Sequence, residues 1–372
     1  MSPFVLICLF WIFAYKIFGV YSVYLKKRHS SPKYMLAYYA FKLYVMYHQY
    51  IKKRQKPLEI SLELKLMDEY FRKHFKPKFV NHTIDNALDL LNKTRKTRNQ
   101  FLEYTLAPIN TDNIKIESSN INNTKVVWVN KCNIKNGIII SFHGGAYVSG
   151  KASSCLPYLI PICENTNMAG LSVDYAISPE HVLPYCVTQC YGIFKHIINE
   201  LGVNPKNIAL IGDSAGGSLV LLLLQKIIKE IPDNVPGCGI TMSSWDVPTE
   251  GDSYKYNEDK DALLDQKTGK IWAHFCVGNI DINGEWTNKN IDMTQTELSY
   301  LAGKFNDMPP IFMSASEWEC VIDDTYSVAK KCQNVTQYIT KECGLHVLET
   351  LYYYDIKEAK DLIHNESQFI LK

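Results

Sequence analysis

The sequence predicts an α/β fold, a mostly parallel sheet flanked by helices, and three segments carry that prediction. Residues 207–211 form an apolar run that ends in Gly212-Asp213-Ser214-Ala215-Gly216, and a helix leaves through residues 218–224. Residues 137–142 read as a buried strand that runs into His143-Gly144-Gly145-Ala146-Tyr147. Residues 309–315 read as a later strand, followed by the acidic stretch 316–324.

The first segment is a Gly-x-Ser-x-Gly motif between a strand and a helix. A tight turn there holds the serine in a strained conformation. Only small residues two places to either side let neighbouring backbone pass that close. The Ser214 oxygen is then exposed above the sheet at the start of a helix. Five mostly small residues occur by chance, so the strand before and the helix after are what make the motif specific. The second segment is a glycine-rich turn after a strand, which can aim backbone N–H groups at one point. Acyl transfer needs such donors where an oxygen becomes negative. The expected set is the turn Gly144, Gly145 and Ala146, with the Gly145 and Ala146 N–H groups as donors, joined by the N–H of Ala215. An ordinary Gly-Gly turn is the alternative, and its pairing with the serine motif in this order disfavours it.

In this order and spacing, the motifs resemble the hormone-sensitive-lipase branch of the α/β-hydrolases, the branch of arylacetamide-deacetylase-type enzymes and many microbial carboxylesterases. The His-Gly-Gly-Gly pattern is present as His143-Gly144-Gly145-Ala146, with alanine in the fourth place. Residues 173–181, Val-Asp-Tyr-Ala-Ile-Ser-Pro-Glu-His, match a second family stretch, and Gly212 to Gly217 match a third. Ser244-Trp245, Asn257 and Asp261 resemble the segment after the next strand. The resemblance spans roughly residues 126–324. It implies a serine nucleophile, Ser214, an acid that follows strand 309–315, and a histidine base after the last strand. The family acid, usually aspartate, falls on Glu319, which can orient an imidazole equally well. Asp323 is the alternative, although it suits the first turn of the following helix.

Two histidines compete for the base. His346 lies 27 residues after Glu319, an attractive spacing, but at the start of an expected strand over residues 345–354. Active sites gather at the carboxyl ends of parallel strands, so this strand would leave His346 at the wrong pole. His364 would follow the strand and is preferred on topology, at the cost of a shortened or missing C-terminal helix. The resemblance makes His143 a structural brace for the glycine-rich turn and His181 a loop-fixing residue. No metal site is expected, since the histidines are scattered and no cysteine pair has ligand spacing beside a second pair. No cofactor is implied.

Residues 3–24 are almost wholly apolar, with Lys16 the one charge, which is long enough to span a bilayer. The absence of a small-residue cleavage site favours a retained anchor over residues 1–24. The expected location is a membrane, the endoplasmic reticulum first, with a single-pass anchor. Lys26-Lys27-Arg28 would keep the bulk of the chain cytosolic, whereas deacetylase relatives commonly face the lumen, so the side stays open. Residues 25–108 show helical spacing of apolar residues and read as a cap over the site or a membrane-proximal region, and 109–372 as the catalytic domain, opening with a hairpin around residues 125–130. Eleven cysteines, an odd number without tight spacing, do not indicate a disulfide framework. A net charge of +2 offers no field for nucleic acid. The expected function is hydrolysis of lipophilic esters with short or medium acyl groups. A degenerate hydrolase-fold protein that binds a lipid or a partner is the alternative, and an acyltransferase the third.

Overall fold

The computed structural model describes residues 60–287 and 290–372 except 79 and 81, together with Ala40 and Leu43. The expected anchor over residues 3–24 lies outside the described residues. Among those described, no helix is long and apolar enough to cross a membrane.

Eight strands form one sheet in the order β1-β2-β4-β3-β5-β6-β7-β8. The strands are β1 (Ile116–Ile121), β2 (Thr124–Val129), β3 (Ile138–Phe142), β4 (Ala169–Val173), β5 (Ile208–Asp213), β6 (Cys238–Met242), β7 (Ile311–Ser316) and β8 (Val335–Thr340). The hairpin β1-β2 is antiparallel and joins β4 antiparallel, while β4, β3, β5, β6, β7 and β8 run parallel. The central strands are apolar throughout because both sheet faces are covered. Along β3, Ile138, Ile140 and Phe142 enter one core and Ile139 the other; along β5, Ile208 and Leu210 alternate with Ala209 and Ile211. Helices α4 (Tyr185–Asn199) and α5 (Ala215–Glu230) cover the first face. Helices α3 (Leu156–Thr166) and α9 (Lys357–Ile370) cover the second.

Chain order reverses at β3, which has β4 on one side and β5 on the other. The connections leaving the carboxyl ends of β3 and β5 therefore diverge, and a crevice opens between them. His143 to Tyr147 and Ser214 lie there.

The expected strand over residues 345–354 does not form. The last strand is β8, earlier in the chain, and residues 348–354 make a 3-10 turn. Strand β8 sits at the sheet edge with half its residues partly exposed, so it lacks a continuous apolar signal. Residues Leu345, Leu348, Leu351 and Tyr354 are apolar because they pack in a loop against helix α1 (Leu62–His74) and α9. His346 thus follows the last strand and reaches the carboxyl pole.

Helices α1 and α2 (Ala87–Leu106) lie over that pole. Arg95 of α2 clamps the helix down: its Nη groups meet both Glu180 oxygens at 2.9 and 2.7 Å, and its Nε donates to the Val148 carbonyl at 2.9 Å. Asp68 of α1 accepts the Gly344 N–H at 2.8 Å, two residues before His346. Ser61, the N-cap of α1, meets Glu358 of α9 through its N–H and hydroxyl, each at 2.6 Å.

Candidate active site

Strand β5 ends at Asp213, and α5 begins at Ala215, which leaves Ser214 alone to make the turn. Its backbone is held at φ 55°, ψ −119°, outside the ordinary regions for a residue with a side chain. The flanking glycines are required by contact. A Cβ on Gly212 would lie 2.2 Å from the Gly216 carbonyl oxygen, and one on Gly216 would lie 2.0 Å from that of Phe142. Gly216→Ala must therefore push β3 away from α5. We expect it to cost about 3 kcal/mol or more, read as a lowered thermal midpoint or as insoluble protein.

The turn after β3 carries three consecutive residues with positive φ: Gly145 at 118°, Ala146 at 52° and Tyr147 at 57°. This turns the backbone N–H groups of Gly145 and Ala146 inward, and among the described residues neither they nor the Ala215 N–H donate to a protein group. Gly144 differs from the expectation: its N–H donates to Asp213 Oδ1 at 2.8 Å and is not free for a ligand. Gly144 is needed instead for space, since its Cβ would fall 2.4 Å from Asp213 Oδ2. His143 is fully buried; its ring stacks on Tyr175 at 4.1 Å, and its Nδ1 meets the Gly144 carbonyl at 2.8 Å. Burial holds its pKa below the ordinary histidine value. The position is that of a brace beneath the turn.

Glu319 is fully buried just past β7. One oxygen, Oε2, accepts the Ser316 N–H at 2.5 Å and the Ser243 hydroxyl at 3.0 Å; the other, Oε1, meets His346 Nδ1 at 2.5 Å. Ser243 also accepts the Val347 N–H at 3.1 Å, so one hydroxyl after β6 fixes both the acid and the histidine loop. Asn257 donates to the carbonyls of Glu317 and Glu319 at 3.1 and 3.0 Å, and Asp261 accepts the Cys320 N–H at 2.7 Å. Asp323 is turned elsewhere: in the first turn of α8 (Ile322–Lys331), it accepts from Ser253 N–H and Tyr256 hydroxyl at 2.8 and 3.0 Å.

His364 does not reach this group. It lies on the exposed face of α9, whose buried face is formed by Leu362, Ile363, Glu366 and Ser367. Topology favours it only if residues 345–354 form a strand. With β8 placed earlier, His346 takes the position after the last strand and α9 forms at full length.

His346 Nε2 is buried with no hydrogen-bond partner among the described residues. It lines the same cavity, of about 100 Å³, as Ser214, Gly145 and Ala146. Burial alone would depress the imidazole pKa, but the hydrogen bond and charge of Glu319 outweigh it and the net direction is upward. The other walls are mostly apolar and include Phe71, Phe75, Phe101 and Trp272, with the Arg98 guanidinium beside them. Arg98 Nη2 lies 3.4 Å from Asp213 Oδ2. Neither Ser243 nor Arg98 is legible from the sequence, because each acts through a contact far away along the chain. Among the described residues, no three His, Cys, Asp or Glu side chains gather as a metal site. The arrangement has an accessible hydroxyl, an imidazole oriented by a carboxylate, and free N–H groups beside them, which is the equipment for nucleophilic acyl transfer.

The family model for the alpha/beta hydrolase fold matches residues 139–350, more than half of the chain, which belongs to that family. Its relatives include proteins of the hormone-sensitive-lipase type. The chain is 25% identical to an esterase of Acinetobacter venetianus over 198 residues, 53% of this chain and 61% of that protein. It is 34% identical to human hormone-sensitive lipase over 104 residues, 26% of this chain and 10% of that protein. The chain thus spans less than two thirds of the length of these relatives. Among solved structures, an esterase from the bacterial hormone-sensitive lipase family superposes with a TM-score of 0.69 at 21% identity, covering 84% of this chain and 98% of that one. EstE5 gives 0.71 at 22% identity, covering 83% and 98%. At these identities, the superpositions establish the fold.

Proposed function

We propose that the protein hydrolyses carboxylic esters through Ser214, His346 and Glu319. The observation that carries this reading is His346: its Nδ1 is held by Glu319 at 2.5 Å, and its free Nε2 lines the cavity of Ser214. Ser214 Oγ attacks the ester carbonyl while His346 Nε2 takes its proton. Glu319 stabilises the resulting imidazolium. The N–H groups of Gly145, Ala146 and Ala215 take the negative oxygen. Collapse expels the alcohol, which receives the proton from His346. Water, deprotonated by the same imidazole, then attacks the acyl group and releases the acid and Ser214. The relatives named esterase and lipase support this chemistry. The apolar walls support a lipophilic ester. Residues 1–24 serve as a membrane anchor in this reading, on the strength of their apolar run, with helices α1 and α2 as the cap.

The test is labelling of the purified protein by a fluorophosphonate, alongside turnover of p-nitrophenyl acetate and butyrate. A folded protein that neither labels nor turns over would sink the reading in favour of a binding-only role. The pH profile gives a further check. His346 must be neutral to accept a proton, and its pKa is raised above the ordinary 6.5. Activity should therefore fall on acidification with a midpoint in kcat/KM above 6.5. In Glu319→Gln the midpoint should move down, because burial then acts without its opposing charge.

A further inference from the structure

The pocket at Ser214 encloses less space than a whole lipophilic ester fills. Cavities that enclose drug-sized ligands occupy roughly 300–1,000 Å³, and this one is about 100 Å³. A second cavity, about 610 Å³, lies against it. The two share three residues in their walls: Phe71 and Phe75 of the α1 end, and Phe101 of α2. Phe71 and Phe75 stack at 4.6 Å, and Phe101 stands edge-on to them at 5.7 and 6.1 Å. The partition is thus made of rings, not backbone. Phe75 and Phe101 are only half-buried, so their rings can swing without opening the core. Beyond it, the larger cavity is walled by Leu66, Met67, Thr105, Leu351 and Tyr354, with the exposed Glu69, Lys73 and His74 on its lining as well. Its lining is mostly apolar, and its charged groups are ones that reach water.

Resting on the hydrolase reading above, we propose that the substrate carries a long alkyl chain, which passes the Phe71–Phe75–Phe101 partition into this second chamber while its ester group sits at Ser214. Each methylene that leaves water adds to the affinity. The chamber therefore sets chain-length preference without touching the reacting atoms. The chain belongs to the acyl or to the alcohol half, and two substrate series separate these sources.

The experiment measures kcat/KM for p-nitrophenyl acetate and dodecanoate, and for ethyl and dodecyl acetate, in the wild type, Leu66→Trp, Thr105→Trp and Phe75→Trp. The first two variants fill the chamber from its far side; the third narrows the partition at a half-buried ring and serves if the filled variants do not fold. The long-to-short ratio should fall about tenfold or more in each folded variant, in whichever series carries the chain. A ratio within about twofold of wild type in both series overturns the proposal. Acetate turnover and fluorophosphonate labelling report on Ser214 separately: their presence with an unmoved ratio removes the chamber alone, and their absence in folded wild type removes the hydrolase reading and the chamber with it.

Discussion

His346→Ala should lower kcat for a short ester by about 10⁴-fold or more, while His364→Ala should leave it within about twofold. The first removes the imidazole joined to Glu319 at 2.5 Å; the second alters an exposed position on α9. Ser214→Ala should match His346→Ala, and the double variant should lose little beyond either single one, since nucleophile and base act as one unit. Fluorophosphonate labelling should vanish with Ser214→Ala and nearly so with His346→Ala. Full activity in His346→Ala would assign the base elsewhere.

Glu366→Gln should stabilise the protein at pH 8 and leave it nearly unchanged at pH 4. Glu366 on α9 and Glu349 behind the His346 loop are both fully buried. Among the described residues, neither oxygen of Glu366 meets a donor, and its polar neighbour is the Glu349 carboxyl, so only a shared proton can join the two. Glu349 also accepts the Ser314 hydroxyl at 2.5 Å. Burial raises the Glu349 pKa from 4.5 to about 7, and burial together with Glu349 raises that of Glu366 well above its ordinary value. The folded state therefore holds protons that the unfolded chain releases above pH 4.5. Stability falls as pH rises from there through about 7, the reverse of the usual carboxylate trend. A shift of this size corresponds to about 3 kcal/mol. The amide introduced by Glu366→Gln would supply a permanent donor and remove much of that loss. Urea denaturation at the two pH values measures it, and an equal effect of the substitution at both would refute the shared proton.

The fold was readable from sequence wherever a strand is buried on both faces, as in β3, β5 and β7, and wherever a glycine is forced by contact, as at Gly212 and Gly216. Ser214 and Glu319 are local to such strands, so their placement followed. The histidine did not, because β8 is an edge strand, Val-Thr-Gln-Tyr-Ile-Thr, whose half-exposed residues carry no apolar run. The loop after it is more apolar than the strand itself, since it is buried between α1, α3 and α9. Apolar content reports burial, and here burial and strand pairing part company. Gly144 failed for a different reason: which N–H of a glycine-rich turn stays free depends on Asp213, 69 residues away.

Helix α1 bears on two things at once. Phe71 forms part of the partition, and Asp68, three residues before it, holds the Gly344 N–H next to the His346 loop. The helix cannot tilt to admit a bulky molecule without also pulling on the backbone that sets the imidazole. If admission moves α1 as well as the Phe75 and Phe101 rings, admission and chemical readiness are linked, and each biases the other. In that case a change in kcat, beside the change in KM, would report the movement of α1.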